Sequence, residues 1–419
     1  MNASGARVGI GLTAAILIVS AAIPARAQTA FGIRSFGEPL PMTPPHALAV
    51  GGVAAVAPWG GDPAVIGAVN PALPALADRV LYSFTWEIGR LSGSYGDQTG
   101  GLNRSGPRLA GIILPVGGGF ALSGGLQRLS ASDFEIHSRG TVGNDLNVRQ
   151  DYYGTGGLNR AWAGLAWRLS SGLVAAGFTT ELVFGNFKQE WAVNFDDSGY
   201  VDAEDTLHRQ HRGTRWSAGV QLEPLDRLRL GAAYISGGRL DVNWITSSVA
   251  SGADTSEGRL ELGHSLALSA GWSASDVWAL YLDYGVTVWD ETRWVGTPPA
   301  GGGAVVGPGS GLRADGAVGF GIERRARPPE EQTSFIDAIP LRLGVRTGQL
   351  YAPGPDGGKV SRLSVMLGTA FFIGTERRAW SDITLQLGRY RAGNGDQETY
   401  WRLTIGFSGA ERWFLPPQR

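Results

Sequence analysis

The stretch Val277-Trp278-Ala279-Leu280-Tyr281-Leu282-Asp283-Tyr284-Gly285-Val286-Thr287-Val288-Trp289 alternates with a period of two. Trp278, Leu280, Leu282, Tyr284, Val286 and Val288 fall on one parity; Ala279, Tyr281, Asp283, Gly285 and Thr287 fall on the other. Successive side chains of a strand point to opposite faces, so this segment builds one continuous apolar face and one small or polar face. The pattern recurs along the chain. Trp401, Leu403, Ile405 and Phe407 alternate with Arg402, Thr404 and Gly406, and Leu341, Leu343 and Val345 alternate with Arg342, Gly344 and Arg346. Val174, Ala176 and Phe178 alternate with Ala175, Gly177 and Thr179.

Composition narrows what such strands can build. The 419 residues hold 64 glycines, 14 tryptophans and no cysteine, and only 17% are charged. Glycine is about twice as frequent as usual and charge is low, which fits a glycine- and aromatic-rich all-β protein. The absence of cysteine excludes disulfide scaffolds, thiol nucleophiles and thiolate-held metals. A formal net charge of -1 leaves no basic footprint for nucleic acid.

Met1 to Ala27 reads as a secretory signal. Arg7 precedes an apolar run from Val8 to Ile23, and Ala25-Arg26-Ala27 gives a small-x-small cleavage pattern. The exported chain then begins near Gln28. Residues 28–79 do not alternate and are rich in proline, alanine and glycine; this composition predicts a segment packed inside the lumen or held in the periplasm.

Alternation alone fits a soluble sandwich as well as a membrane barrel, because it does not say which face meets lipid. Three features favour the barrel. Aromatics stand near strand ends (Trp86, Trp216, Trp278, Trp289, Trp401), as interfacial girdles require. The strands run to ten residues or more, against about five or six in soluble sheets. Short turns at Pro115–Gly118, Ser170–Ser171, Glu223–Leu225, Ala274–Ser275 and Thr375–Glu376 alternate with long connections at 131–156, 188–211, 241–257 and 291–311. That rhythm predicts a transmembrane antiparallel β-barrel of about fourteen strands over 80–409, with short periplasmic turns and a periplasmic tail at 410–419. The connection at 326–337 is longer than a periplasmic turn should be.

Ahead of the barrel, Asp62-Pro63-Ala64 is followed by Asn70-Pro71-Ala72-Leu73. Together with Leu228-Arg229-Leu230-Gly231-Ala232-Ala233-Tyr234, Leu282-Asp283-Tyr284 and Ile339-Pro340-Leu341-Arg342-Leu343-Gly344, this set resembles the FadL-type outer-membrane transporters and their PorV-like relatives. The resemblance implies a barrel plugged by an N-terminal hatch, passive uptake of fatty-acid-like hydrophobic compounds, and sideways release through a kinked early strand. No Gly-x-Ser-x-Gly, Walker loop or Gly-x-Gly-x-x-Gly occurs in the chain, so neither enzymatic activity nor a cofactor is expected. The resemblance also places Asp62, Asn70, Pro71, Ala72 and Leu73 at the gate. Leu73 stands where the superfamily usually carries glycine. The ending Trp413-Phe414 with a basic terminus is more like the PorV-like branch, whose members serve protein secretion at the cell surface. The partners expected are therefore outer-membrane lipid and a hydrophobic ligand, or exported proteins under the alternative, in the outer membrane of a Gram-negative-type bacterium.

Asn70-Pro71 also suits a plain turn, since proline fixes φ and asparagine bonds its neighbouring backbone. The inward parity carries Glu87, Arg168, Glu181, Arg215, Asp283, Arg342, Arg346, Arg362 and Arg402. Such charges either pair across the lumen or recognise a carboxylate head group. His208 and His211, beside Glu204 and Asp205, fall in an expected external loop and lack metal-site spacing, so no metal is expected.

Overall fold

Among the described residues, fourteen antiparallel strands close into one barrel. The computed structural model describes residues 29–32, 35–59, 66–67, 69–95, 98–142, 146–195, 202–248, 252–295, 311–373 and 378–411. The leader, Asp62 and the tail beyond Glu411 that carries the PorV-like ending lie outside these residues. In chain order the strands are β1 (Val80–Tyr95), β2 (Gln98–Gly117), β3 (Phe120–Arg128, resuming as Phe134–Val142), β4 (Leu146–Arg168), β5 (Val174–Phe195), β6 (Ala203–Leu225) and β7 (Leu228–Ile235, resuming as Arg239–Ser248). They continue as β8 (Gly252–Glu261 and Ser265–Ser273), β9 (Trp278–Thr287, resuming as Arg293–Val295), β10 (Asp315–Arg324), β11 (Leu341–Leu350), β12 (Val360–Ile373), β13 (Ala379–Arg391) and β14 (Gln397–Glu411). β1 pairs with β14 from Val80↔Glu411 to Ser94↔Gln397, which seals the ring. The last strand thus reaches Glu411, past the expected end at 409.

The two parities decide the environment. Leu126, Phe178, Leu282, Phe320 and Leu367 are each at least half exposed on the outer face, while Tyr281, Asp283, Glu323 and Arg342 are buried inside. A soluble sandwich would show the reverse. An outward apolar belt over a polar interior is the arrangement lipid requires.

The long connections expected at 131–156, 188–211 and 241–257 are largely strand. β3 and β4 pair up to Val142↔Leu146, β5 and β6 pair from Val174↔Leu222 to Val193↔Ala203, and β7 and β8 pair up to Ser248↔Gly252. These hairpins rise beyond the belt, where both faces carry polar residues. Backbone pairing continues there although the apolar contrast that marks a half-buried strand is gone. His208 and His211 accordingly lie within β6 and not in a loop. They sit on opposite faces, and His211 is buried against Phe187.

β3, β7, β8 and β9 are all interrupted just outside the belt, at 129–133, 236–238, 262–264 and 288–292. Above these breaks an apolar cluster fills the outer end of the barrel, with Phe36, Phe187, Trp244, Tyr351 and Tyr390 among its members. Below them the N-terminal segment lies against inward-facing wall residues. Its elements are a two-residue ladder, Glu38–Pro39 on Ser130–Ala131, the short helix α1 (Pro45–Ala49) and a 3-10 turn (Leu73–Leu76). Pro45 opens α1, a position that needs no backbone donor.

The β10–β11 connection is structured. Asp337 accepts from the Thr333 and Ser334 hydroxyls, both at 3.0 Å, and pairs with Arg324 at 2.7 Å. The two hydroxyls, foremost Thr333, hold its carboxyl well below the ordinary range, at about 2. A depressed carboxyl contributes stability that is complete above its unfolded value and is lost as pH falls through the folded one. Pepsin at about pH 3 should therefore spare this connection in the parent and cut it in Asp337→Asn.

Candidate functional site

The N-terminal segment meets the wall backbone to backbone. A Cβ placed on Gly344 of β11 would stand 2.2 Å from Gly51 N, and one on Gly231 of β7 would stand 1.9 Å from Ala55 O. Only glycine permits so close an approach. Wall side chains then take up the segment's amides. Asp283 Oδ1 accepts from Ala54 N at 3.0 Å, Ser269 Oγ from Ala55 N at 2.9 Å and Gln221 Oε1 from Ala57 N at 3.0 Å. Arg346 donates to Gly51 O at 3.0 Å, and Thr384 donates to Pro45 O at 2.7 Å.

Asn70 is fully buried at the hub of this contact. Its amide nitrogen donates to Ala55 O at 2.7 Å and to Val220 O of β6 at 2.8 Å, and its Oδ1 accepts from Ala72 N at 2.9 Å. It therefore ties its own turn, an earlier part of the segment and the wall together. Pro71 lies against Gly177, and Ala72 and Leu73 are buried beside Ala166 and Ala175. Asn70→Ala would leave Ala55 O and Ala72 N without these partners, at about 1–3 kcal/mol for each group that water cannot reach. We expect the segment to loosen, seen as faster amide exchange at 50–57, while the barrel keeps its heat-resistant mobility on gels.

The inward charges pair. Glu87 lies 3.0 Å from Arg108 and 3.4 Å from Arg104; Arg215 bonds Glu181 at 2.7 Å; Asp283 bonds Arg346 at 2.7 Å. Arg342 bridges Glu323 at 2.8 Å and Asp382 at 2.9 Å, and Arg362 faces Asp315 at 3.5 Å. Arg402 pairs with Glu38 of the segment, which also accepts from Tyr390. Arg168 stands apart at the short-turn end, over Gly172.

The sequence reading passed over several partners. Arg104 stands in Gly100-Gly101-Leu102-Asn103-Arg104-Ser105-Gly106, where no parity is consistently apolar, and Glu38 belongs to a stretch without periodicity. Glu323 and Asp382 were legible in principle, since they share parity with Gly321 and Thr384 inside strands.

Between the segment and the wall lies a cavity of about 210 Å³. Leu40, Met42 and Leu48 line it from the segment, and Leu129, Leu158, Ile235 and Ala267 line it from the wall. Its charged lining holds the pairs Asp283–Arg346 and Asp315–Arg362, together with Arg402, which pairs with Glu38, and Arg215, which shares Glu181 with Arg160. On the outer face, beside the break in β3, is a recess of about 780 Å³ lined by Pro107, Arg128, Gly156, Gly157 and Phe184. The cavity touches Leu129, Ser130 and Leu158, the chain neighbours of Arg128 and Gly157 in the recess. One layer of chain, backed by the Glu38–Pro39 ladder, separates the two hollows.

The fold has known counterparts. The Pseudomonas putida toluene transporter TodX superposes with a TM-score of 0.59 at 13% identity, covering 90% of this chain and 99% of that one. The CymD monoaromatic hydrocarbon channel gives 0.57 at 13% identity over 89% and 98% of the two chains. A Pseudomonas aeruginosa FadL homologue gives 0.57 at 12% identity over 89% and 99%. No curated protein matches by sequence. The profile of one family, BamG, matches residues 65–294, more than half of the chain. The chain therefore belongs to the BamG family, on the fourteen-stranded barrel fold of the FadL-type superfamily.

Proposed function

We propose that this protein is a non-catalytic outer-membrane channel of a Gram-negative-type bacterium that passes small hydrophobic molecules by diffusion. In this reading residues 28–79 form the hatch, with Asn70, Pro71, Ala72 and Leu73 at its hub, and the break in β3 is the sideways exit. The observation that carries it is the apolar cavity, one chain layer from an outer recess at the edge of the lipid belt. Size limits the ligand. A cavity of roughly 150 Å³ accommodates benzene, so about 210 Å³ takes a single ring or a short chain. The solved neighbours described as toluene and monoaromatic hydrocarbon channels fit that size better than a long acyl chain does.

The exit can be locked. Pro39 and Ser130 are Cα partners in the two-residue ladder. Antiparallel partners stand about 4.5–5.5 Å apart at Cα, within disulfide range. The chain has no cysteine of its own, so Pro39→Cys/Ser130→Cys forms a single defined pair. Uptake of radiolabelled toluene into proteoliposomes should fall by about tenfold when the pair is oxidised and return on reduction. Unchanged uptake in the oxidised form would remove the β3 break from the route, and no uptake in the reduced or parent form would remove the channel reading itself.

A further inference from the structure

Phe335 is 69% exposed and Ile336 56%, at the tip of the β10–β11 connection on the short-turn side of the barrel. Two adjacent large apolar side chains in a water-facing loop call for a partner. The tip is held in place. Arg324 donates from Nη1 to Ile336 O at 2.7 Å and from Nη2 to Asp337 at 2.7 Å, and Arg327 N donates to Asp337 O at 2.8 Å.

Arg324 also fixes where the tip sits. On β10 it shares the outward parity of Phe320 and Ile322, one step nearer the periplasm, and it is the Cα partner of outward-facing Leu341. A guanidinium on the outer wall that bonds Ile336 O places the tip at the lower edge of the lipid belt, beside the wall and not beneath the lumen. Arg324 and Arg327 accompany the apolar pair, with the Arg327 side chain 42% exposed. An apolar tip with arginine beside it matches the boundary between acyl chains and phosphates.

We propose that residues 326–338 form a lipid-seated foot: Phe335 and Ile336 enter the periplasmic leaflet, and Arg327 meets lipid phosphate. A soluble periplasmic protein is the other occupant to be tested, but the Arg324 bond to Ile336 O sets the patch against the outer wall, at the edge of the belt that lipid already covers. The foot does not depend on any molecule crossing the lumen.

The absence of native cysteine makes the test direct. Phe335→Cys and Ile336→Cys are labelled with an environment-sensitive nitrobenzoxadiazole dye in the full chain. The protein is reconstituted into phosphatidylcholine vesicles, with or without a lipid spin-labelled near its head group. Asp276→Cys is the reference, since Asp276 lies in the turn between β8 and β9 on the same side with its side chain 95% exposed. Dye at 335 and 336 should be quenched by the spin label at least about twofold more than dye at 276, and by aqueous iodide at least about twofold less. Equal iodide quenching at the three positions, with no effect of the spin label, would overturn the proposal. So would shielding that appears only after a periplasmic extract is added.

Discussion

Gly344→Val should turn a closed barrel into an open one. The new Cβ would have to occupy a point 2.2 Å from Gly51 N, 2.7 Å from Ala49 O and 2.9 Å from Gly51 Cα, all of them backbone of the N-terminal segment. No rotamer relieves such a clash, so the segment has to move by an ångström or more. That shift also breaks the Arg346 bond to Gly51 O and the Asp283 bond to Ala54 N, since both depend on the same placement. Overpacking of this kind costs about 1–3 kcal/mol before the lost hydrogen bonds are counted. The outer face is untouched, so the wall should still fold and keep its heat-resistant mobility. In planar bilayers the parent should show little conductance and the variant a steady open level. Gly231→Val, which strikes Ala55 O from β7, should do the same. If both variants conduct like the parent, the segment is not what closes the lumen.

Arg342→Leu should cost more stability than any exposed substitution. Its side chain is 1% exposed and joins Glu323, 0% exposed, to Asp382, 6% exposed. Removing the cation strands two carboxylates in a place water cannot reach, and breaking a buried pair in this way typically costs about 3–5 kcal/mol. Tyr281 still donates to Glu323 at 2.7 Å and Trp380 to Asp382 at 3.1 Å, which softens the loss without cancelling charge. Urea unfolding in lipid vesicles measures it. The exposed pair Arg239–Glu261 is the control, and Arg239→Leu should change stability by no more than about 0.5 kcal/mol. Adding Glu323→Leu and Asp382→Leu to Arg342→Leu should restore most of the loss, because an apolar triad of similar volume carries no unpaired charge. A triple variant as unstable as the single one would show that packing, and not charge, is at stake.

The barrel was legible because its membrane half obeys one contrast. From Trp278 to Val288 apolar residues alternate with small or polar ones, and about fourteen stretches that tend the same way occur in the order the strands take in the wall. Legibility ends where lipid ends. In Glu204-Asp205-Thr206-Leu207-His208-Arg209-Gln210 neither face is consistently apolar, so the outer hairpins read as loops although their backbones pair fully. The inward charges were legible from parity, but which arginine meets which carboxylate was not, because pairing joins residues on different strands and in one case on the segment. Asn70 could be singled out as a turn residue. That it also reaches Ala55 O and Val220 O depends on how the segment folds against the wall, which no local pattern records.

The seam between β1 and β14 bears on how the molecule is made. Phe36 lies in the outer cluster with Tyr351, yet β1 starts at Val80 at the opposite end, so the intervening chain spans the height of a ring with no gap. A finished ring could admit this chain only by passing a free end, with Phe31 and Phe36 on it, through its whole length. The route that avoids this is for the wall to wrap around chain already in place, with the zipping of Val80 to Glu411 as the closing act. The strap is then less a stopper added to a pore than a mandrel on which the pore is wound.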